Sequence, residues 1–226
     1  MSHASRLAIV LTSHDQLGTT GKKTGYYLPE AAHAWAVFTA AGHEVVFVSP
    51  RGGAAPLDPG GQDRADADNA RFLDDPAVRA AVAATQRAEA IDPASLGAVF
   101  FAGGHGTMWD FRAPALAALA AGVWTRGGIV AAVCHGPAAL VDVEVAGRPL
   151  VAGQPVTGFS NLEEEAVGLT GVVPYLLEDV LVARGGRYSR ADAPWAAHVA
   201  IGERLVTGQN PASTRGVAEA VVRGLR

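Results

Sequence analysis

Five short stretches of the chain are apolar at nearly every position: residues 7–11, 44–48, 98–102, 129–133 and 205–207. A strand with one wet face alternates apolar and polar residues. Continuous runs bounded by Gly, Pro, Ser or Asp instead predict strands of a parallel sheet buried on both faces. Between them the apolar spacing predicts helices over 29–41, 115–125 and 212–225. The first opens on Pro29, suited to a helix's first turn, and stops at Gly42. Alternation of strand and helix predicts an α/β fold: a doubly wound, mostly parallel sheet with helices on both faces, flavodoxin-like in plan. The turn-rich, acidic stretch 52–69 reads as a surface loop rather than a linker, and there is no internal repeat. Residues 1–226 therefore read as one α/β domain.

Composition then narrows the partners. Hydrophobic residues make up 49% and charged residues 18%, with a formal net charge of −4. Lys and Arg are scattered, so no nucleic-acid partner is expected. No stretch is long and apolar enough to span a membrane, and the run 7–11 is too short for a signal peptide. A lone cysteine cannot form an intrachain disulfide, which points to a cytoplasmic location.

Chemistry gathers where such sheets place their sites, at the carboxyl ends of strands. Run 7–11 leads to Thr12, Ser13 and His14; run 98–102 to Gly103, Gly104 and His105; run 129–133 to Cys134, His135 and Gly136. Three strand ends thus converge on one expected pocket. Free cysteine often packs as a small hydrophobe. Here, however, a buried strand runs straight into Cys134, and small residues stand two positions to either side, Ala132 and Gly136, as in a nucleophile elbow. At a helix N-terminus the thiol is expected to have a lowered pKa. The amides of His135 and of Gly103 or Gly104 are expected oxyanion donors. His135 itself reads either as a general acid/base curled beside the sulfur or as a half-exposed residue at a helix start.

Longer motifs carry a family likeness. They are Thr24, Gly25, Tyr26, Tyr27, Leu28, Pro29, Glu30; Ser49, Pro50, Arg51, Gly52, Gly53; Gly103, Gly104, His105, Gly106, Thr107, Met108, Trp109, Asp110; Val133, Cys134, His135, Gly136, Pro137; Thr157, Gly158, Phe159, Ser160, Asn161; and Gly208, Gln209, Asn210, Pro211. On these the chain resembles the ThiJ/PfpI superfamily, with its class I glutamine amidotransferase-like fold, and within it the heat-shock chaperone/glyoxalase III-like branch. The resemblance implies a catalytic Cys134 and His135, a supporting Glu30 beside the sulfur, and an orienting acid at Glu164, with Glu163 and Glu165 as alternatives. A Ser160–Glu163 or Asn161–Glu164 capping box would occupy one of these carboxylates. Gly103, Gly104, His105 and Trp109 are expected to hold the oxyanion or position substrate, and His14 and Asn210 to line the same pocket.

The implied activity is a cofactor-free, glutathione-independent glyoxalase converting methylglyoxal to lactate, with deglycation as a related thiol reaction. A stress-related holdase and a cysteine-dependent peptidase or amidase are the rivals. A homodimer is implied. His33, His43 and His198 read as surface or strand positions. The histidines lack metal-ligand spacing, and the glycines form no phosphate loop, so neither metal nor nucleotide is expected.

Overall fold

Alternate residues of each central strand feed two separate cores, because successive side chains in a strand point to opposite faces. A computed structural model describes residues 4–226; Met1, Ser2 and His3 lie outside the described residues. Its strands are β1 (Arg6–Val10), β2 (Glu44–Ser49), β3 (Gln86–Arg87), β4 (Ala98–Phe101), β5 (Ile129–Val133), the small ribbons β6 (Glu144–Val145) with β7 (Arg148–Pro149) and β8 (Pro155–Val156) with β9 (Arg187–Tyr188), then β10 (Val199–Ile201) and β11 (Leu205–Gly208). The helices are α1 (Leu28–Ala40), α2 (Ala67–Asp74), α3 (Pro76–Ala83), α4 (Thr107–Asp110), α5 (Pro114–Thr125), α6 (Asn161–Ala166), α7 (Leu177–Ala183) and α8 (Thr214–Gly224).

The seven-stranded sheet runs β10-β11-β5-β4-β1-β2-β3 and is parallel except for the β10–β11 pair. Leu7, Ile9, Phe100, Ala131 and Val133 pack into one core with Phe38 of α1, Phe72 of α2 and Val217 and Val221 of α8. Ala8, Val10, Val99, Phe101, Val130 and Ala132 pack into the other with Leu116, Leu119 and Val123 of α5 and Leu181 of α7. Strand order reverses its direction of growth between β1 and β4, which is where such sheets leave a crevice at the strands' carboxyl ends. None of the helices among the described residues is long and apolar enough to cross a membrane.

Several local readings are corrected. The stretch 52–69 is not loop throughout: it holds a short 3-10 turn (Pro59–Gly61), and α2 begins at Ala67. Two of its acidic residues are caps, Asp58 for that turn and Asp66 for α2, and Asp75 beyond it caps α3. Asp66 accepts from Asn69 N at 2.9 Å, and Asp75 accepts from Ala77 N and Val78 N at the start of α3. His43 is buried rather than exposed, its Nδ1 accepting from Ser5 N at 3.1 Å. The antiparallel edge strand β10 has only three residues, too few for a pattern to stand out from a loop.

Candidate active site

Cys134 comes directly after β5 and adopts φ +59°, a left-handed conformation that is uncommon and costly for a residue with a side chain. Two backbone hydrogen bonds pin it there, Cys134 N to Gly208 O at 2.9 Å and Phe159 N to Cys134 O at 2.8 Å. The bend also needs Gly136: a Cβ at that position would stand 2.2 Å from Phe101 O. Gly136→Ala is therefore expected to lower unfolding free energy by about 2 kcal/mol or more, or to abolish soluble expression, as read by urea denaturation.

At the end of β4, Gly104 has φ +99°, and a Cβ on it would stand 2.4 Å from Gly25 O and 2.6 Å from Tyr27 N. Only glycine lets β4 pass this close to the start of α1. That approach brings Glu30, in the first turn of α1, against the elbow. Its Oε2 accepts from Gly103 N at 2.6 Å, while the equally buried Oε1 has no hydrogen-bond partner. Burial pushes the Glu30 carboxyl up to about 8, against the hydrogen bonds from Cys134 and Gly103. It is thus a neutral acid at pH 7.

The expected low-pKa thiol is corrected. Burial, and then the neighbouring Glu30, push the Cys134 thiol well above its ordinary value, although the amides of Gly104 and His135 pull the other way. The physical reason is twofold. Cys134 sits in the interior, only 4% exposed, and the chain continues from the elbow as a five-residue 3-10 turn (Gly136–Leu140) instead of an α-helix with a full dipole.

The ring of His135 curls beside the sulfur, with Nδ1 lying 3.4 Å from Cys134 Sγ. Its Nε2 lies 2.7 Å from Glu164 Oε2. Burial and then the nearby His105 hold His135 down to about 4, so the ring is neutral at pH 7. Burial alone would raise the Glu164 carboxyl, but hydrogen bonds from His105 and His135 more than offset it and hold it at about 2. An ionised Glu164 can only accept, which places the His135 proton on Nε2 and leaves Nδ1 bare toward the thiol. His105 donates to the other oxygen of the same carboxylate, Nε2 to Oε1 at 3.0 Å, and its ring lies 4.3 Å from that of His135.

Of the three adjacent acids, Glu163 closes the capping box with Ser160 and binds Asn210 Nδ2 at 2.8 Å, and Glu165 is exposed. Glu164 alone reaches the imidazoles. A cavity of about 180 Å³ opens beside the sulfur, lined by Glu30, Gly104, His105, Cys134 and His135 together with Tyr27, Asp58, Phe159, Val167, Trp195 and Pro211. A larger hollow of about 470 Å³ lies beside Ser5, Glu44 and Leu96, but neither cysteine nor histidine lines it.

Other expected positions fall elsewhere. Trp109 is not part of the cavity wall; it stacks on His14, ring centroids 5.2 Å apart. The end of β1 does not reach the pocket either, because Thr12 and Ser13 are tied to Asp110 of α4 at 2.7 Å each. Asn210 braces Glu163 from behind the wall. Tyr27, Asp58, Phe159, Val167, Trp195 and Pro211 line the cavity without having been expected there, although Tyr27, Phe159 and Pro211 lie within the motifs that carry the family likeness.

His105, His135 and Glu164 also lie within 4.8 Å of one another, close enough to hold a metal ion, although their sequence spacing gives no sign of it. In the present geometry the carboxylate takes a hydrogen bond from each ring, and an ion would have to replace both protons.

Known proteins resemble the chain along its whole length. The model of the DJ-1/PfpI family matches residues 24–223. Glyoxalase 3 of Candida albicans is 31% identical, over 96% of this chain and 97% of its own length. Glutathione-independent glyoxalase HSP31 of Saccharomyces cerevisiae is 32% identical, over 98% of each. Among solved structures, glyoxalase III from Candida albicans superposes with a TM-score of 0.92 at 29% identity, covering 100% of this chain and 99% of that one. The Francisella tularensis Rapid Encystment Protein 24 kDa gives 0.94 at 36%, covering 98% and 99%.

Proposed function

This chain belongs to the DJ-1/PfpI family, and we propose that it is a glutathione-independent glyoxalase that converts methylglyoxal to lactate through a covalent bond to Cys134. Its full-length relatives named as glyoxalases support the substrate class. The observation that carries the mechanism is the hydrogen-bonded line from Cys134 Sγ through His135 to Glu164, with a buried, protonated Glu30 beside the sulfur.

In this reading His135 Nδ1 takes the thiol proton as sulfur attacks the aldehyde carbon, and Glu164 stabilises the imidazolium that forms. Glu30 gives its proton to the new oxyanion, beside the amides of Gly104 and His135, and the product is a hemithioacetal on Cys134. The Glu30 carboxylate then removes the hydrogen from that carbon while the His135 imidazolium gives the former thiol proton to the ketone oxygen, forming an enediol. Glu30 delivers its hydrogen to the neighbouring carbon and takes up the proton of the first hydroxyl, which leaves a lactoyl thioester, a neutral His135 and a protonated Glu30. A pKa of about 8 suits both jobs, acid first and base next. Water, activated by His135, cleaves the thioester, so one methylglyoxal and one water yield one lactate and the free thiol. Gly103 acts indirectly, since its amide is engaged by Glu30. The reaction as drawn needs no metal or cofactor; a cytoplasmic homodimer is the form proposed from composition and family likeness.

The protonation states give a direct test. Activity requires neutral His135 and protonated Glu30 in the free enzyme. The profile of kcat/KM against pH is therefore expected to be a bell with an acid limb near 4 and an alkaline limb near 8. A profile still rising beyond pH 9 would instead assign the limiting group to the thiol and remove Glu30 from its acid role.

Glu164→Gln is expected to cost about 10²-fold in kcat, less than loss of the nucleophile. The Gln carbonyl can still accept from His135 if its amide turns to His105, which is partly exposed and free to change tautomer. Steady-state kinetics of Glu164→Gln against Glu164→Ala checks this, the Ala variant being the slower.

A further inference from the structure

We propose that Trp195, with Phe159 and Val167, forms an apolar seat for the substituent on the substrate's ketone carbon, so that 2-oxoaldehydes bearing an aryl or bulky alkyl group are preferred over glyoxal. The inference rests on the glyoxalase reading and extends it to the choice of substrate.

The chemistry proposed above uses only Glu30, His135, Cys134, Glu164 and backbone amides. It leaves a wall of the cavity unexplained. Phe159 packs on His135 with ring centroids 4.3 Å apart and faces Trp195 at 5.8 Å. Trp195 is 47% exposed and Val167 41% exposed, so these two stand where the cavity opens. A large apolar side chain left in water at a pocket mouth gains by being covered.

Trp195 is also restrained there by its backbone. Its φ is +68°, a conformation that a bulky residue adopts only when its surroundings impose it. The restraint is a hydrogen bond from Trp195 N to Oε1 of Glu163 at 2.9 Å. The same carboxylate accepts from Asn210 Nδ2 and from Ser160, and it is ionised: burial alone would raise Glu163, but the bonds from Asn210, Ser160 and Trp195 keep it low. Glu163 thus ties the backbone that carries the indole to the N-terminus of α6, one residue before the acid that orients His135. The seat is fixed relative to the reacting sulfur, which is what discrimination by shape requires.

The test compares kcat/KM for phenylglyoxal and glyoxal, without glutathione, in wild type, Trp195→Phe and Trp195→Ala. The expected preference for phenylglyoxal is about tenfold or more in wild type, largely kept in Trp195→Phe and reduced to within about threefold in Trp195→Ala. The change should appear mainly in KM for phenylglyoxal. Equal ratios in all three proteins overturn the seat. Calorimetric Kd values for the corresponding products, mandelate and lactate, give a second readout that does not need turnover. Mandelate is expected to bind about tenfold tighter than lactate in wild type, and the gap to close in Trp195→Ala. If wild type turns over neither aldehyde, the glyoxalase reading fails, and the mandelate–lactate ratio alone decides the seat: a ratio near one rejects it.

Discussion

Cys134→Ser is expected to lower kcat/KM for glutathione-free conversion of methylglyoxal by roughly 10⁴-fold or more. The thiol is the only sulfur nucleophile in the chain, and it is buried beside a neutral imidazole whose bare nitrogen lies 3.4 Å away. A serine hydroxyl in the same place is a far weaker acid, and a ring whose basicity has been held down to about 4 cannot take its proton readily. Residual activity would come from the amides and Glu30 alone. The fold should survive, because the backbone bonds that impose the elbow belong to Gly208 and Phe159 rather than to the side chain. Thermal unfolding of the variant, measured alongside its kinetics, separates a lost nucleophile from a lost fold.

Glu30→Gln has the second-largest expected effect, a fall in kcat of roughly 10²–10³-fold with loss of the alkaline limb of the pH profile. Gln keeps an acceptor for Gly103 N but can neither give nor take a proton. The same substitution carries a stability signature of opposite sign. The folded pKa, about 8, lies above the ordinary 4.5. The folded state therefore holds a proton that the unfolded state releases, and stability falls as pH rises from about 4.5 to 8. The gap corresponds to a few kcal/mol at about pH 8, as a desolvated acid in a protein interior requires. Glu30→Gln should accordingly raise Tm by roughly 5 °C or more at about pH 8 and hardly at all at about pH 4.5. A variant that is both slower and more stable marks a site where strain and burial are kept for chemistry. Equal Tm differences at the two pH values would mean that Glu30 is ionised in the folded protein.

The parts of this site that sequence could reveal are those fixed by backbone demands. A parallel strand buried on both faces reads as an unbroken apolar run, so β1, β2, β4, β5 and β11 stood out. The elbow was legible because the bend at Cys134 needs Gly136 close behind it. The features that stayed hidden depend on distance across the fold. Nothing local says that Glu164 receives both His105 and His135, since the three come from separate elements and meet only when α6 docks at the ends of β4 and β5. The capping box of Ser160 and Glu163 was readable as local helix chemistry, yet the further use of Glu163 as a brace for Asn210 and Trp195 was not. The raised thiol pKa reversed the expectation for the same reason: helix-terminus reasoning is local, whereas burial and the approach of Glu30 are products of the tertiary structure. Helices α2 and α3 were hidden by their own Asp caps, which look like turn residues when read without the helix that they start.

The most direct test of the central claim is the balance of methylglyoxal consumed against lactate formed, with no glutathione or other small thiol and with a metal chelator present. One lactate is expected for each methylglyoxal, with turnover catalytic in wild-type protein and absent in Cys134→Ser. Consumption without lactate, or lactate production that survives the Cys134→Ser change, would contradict the claim.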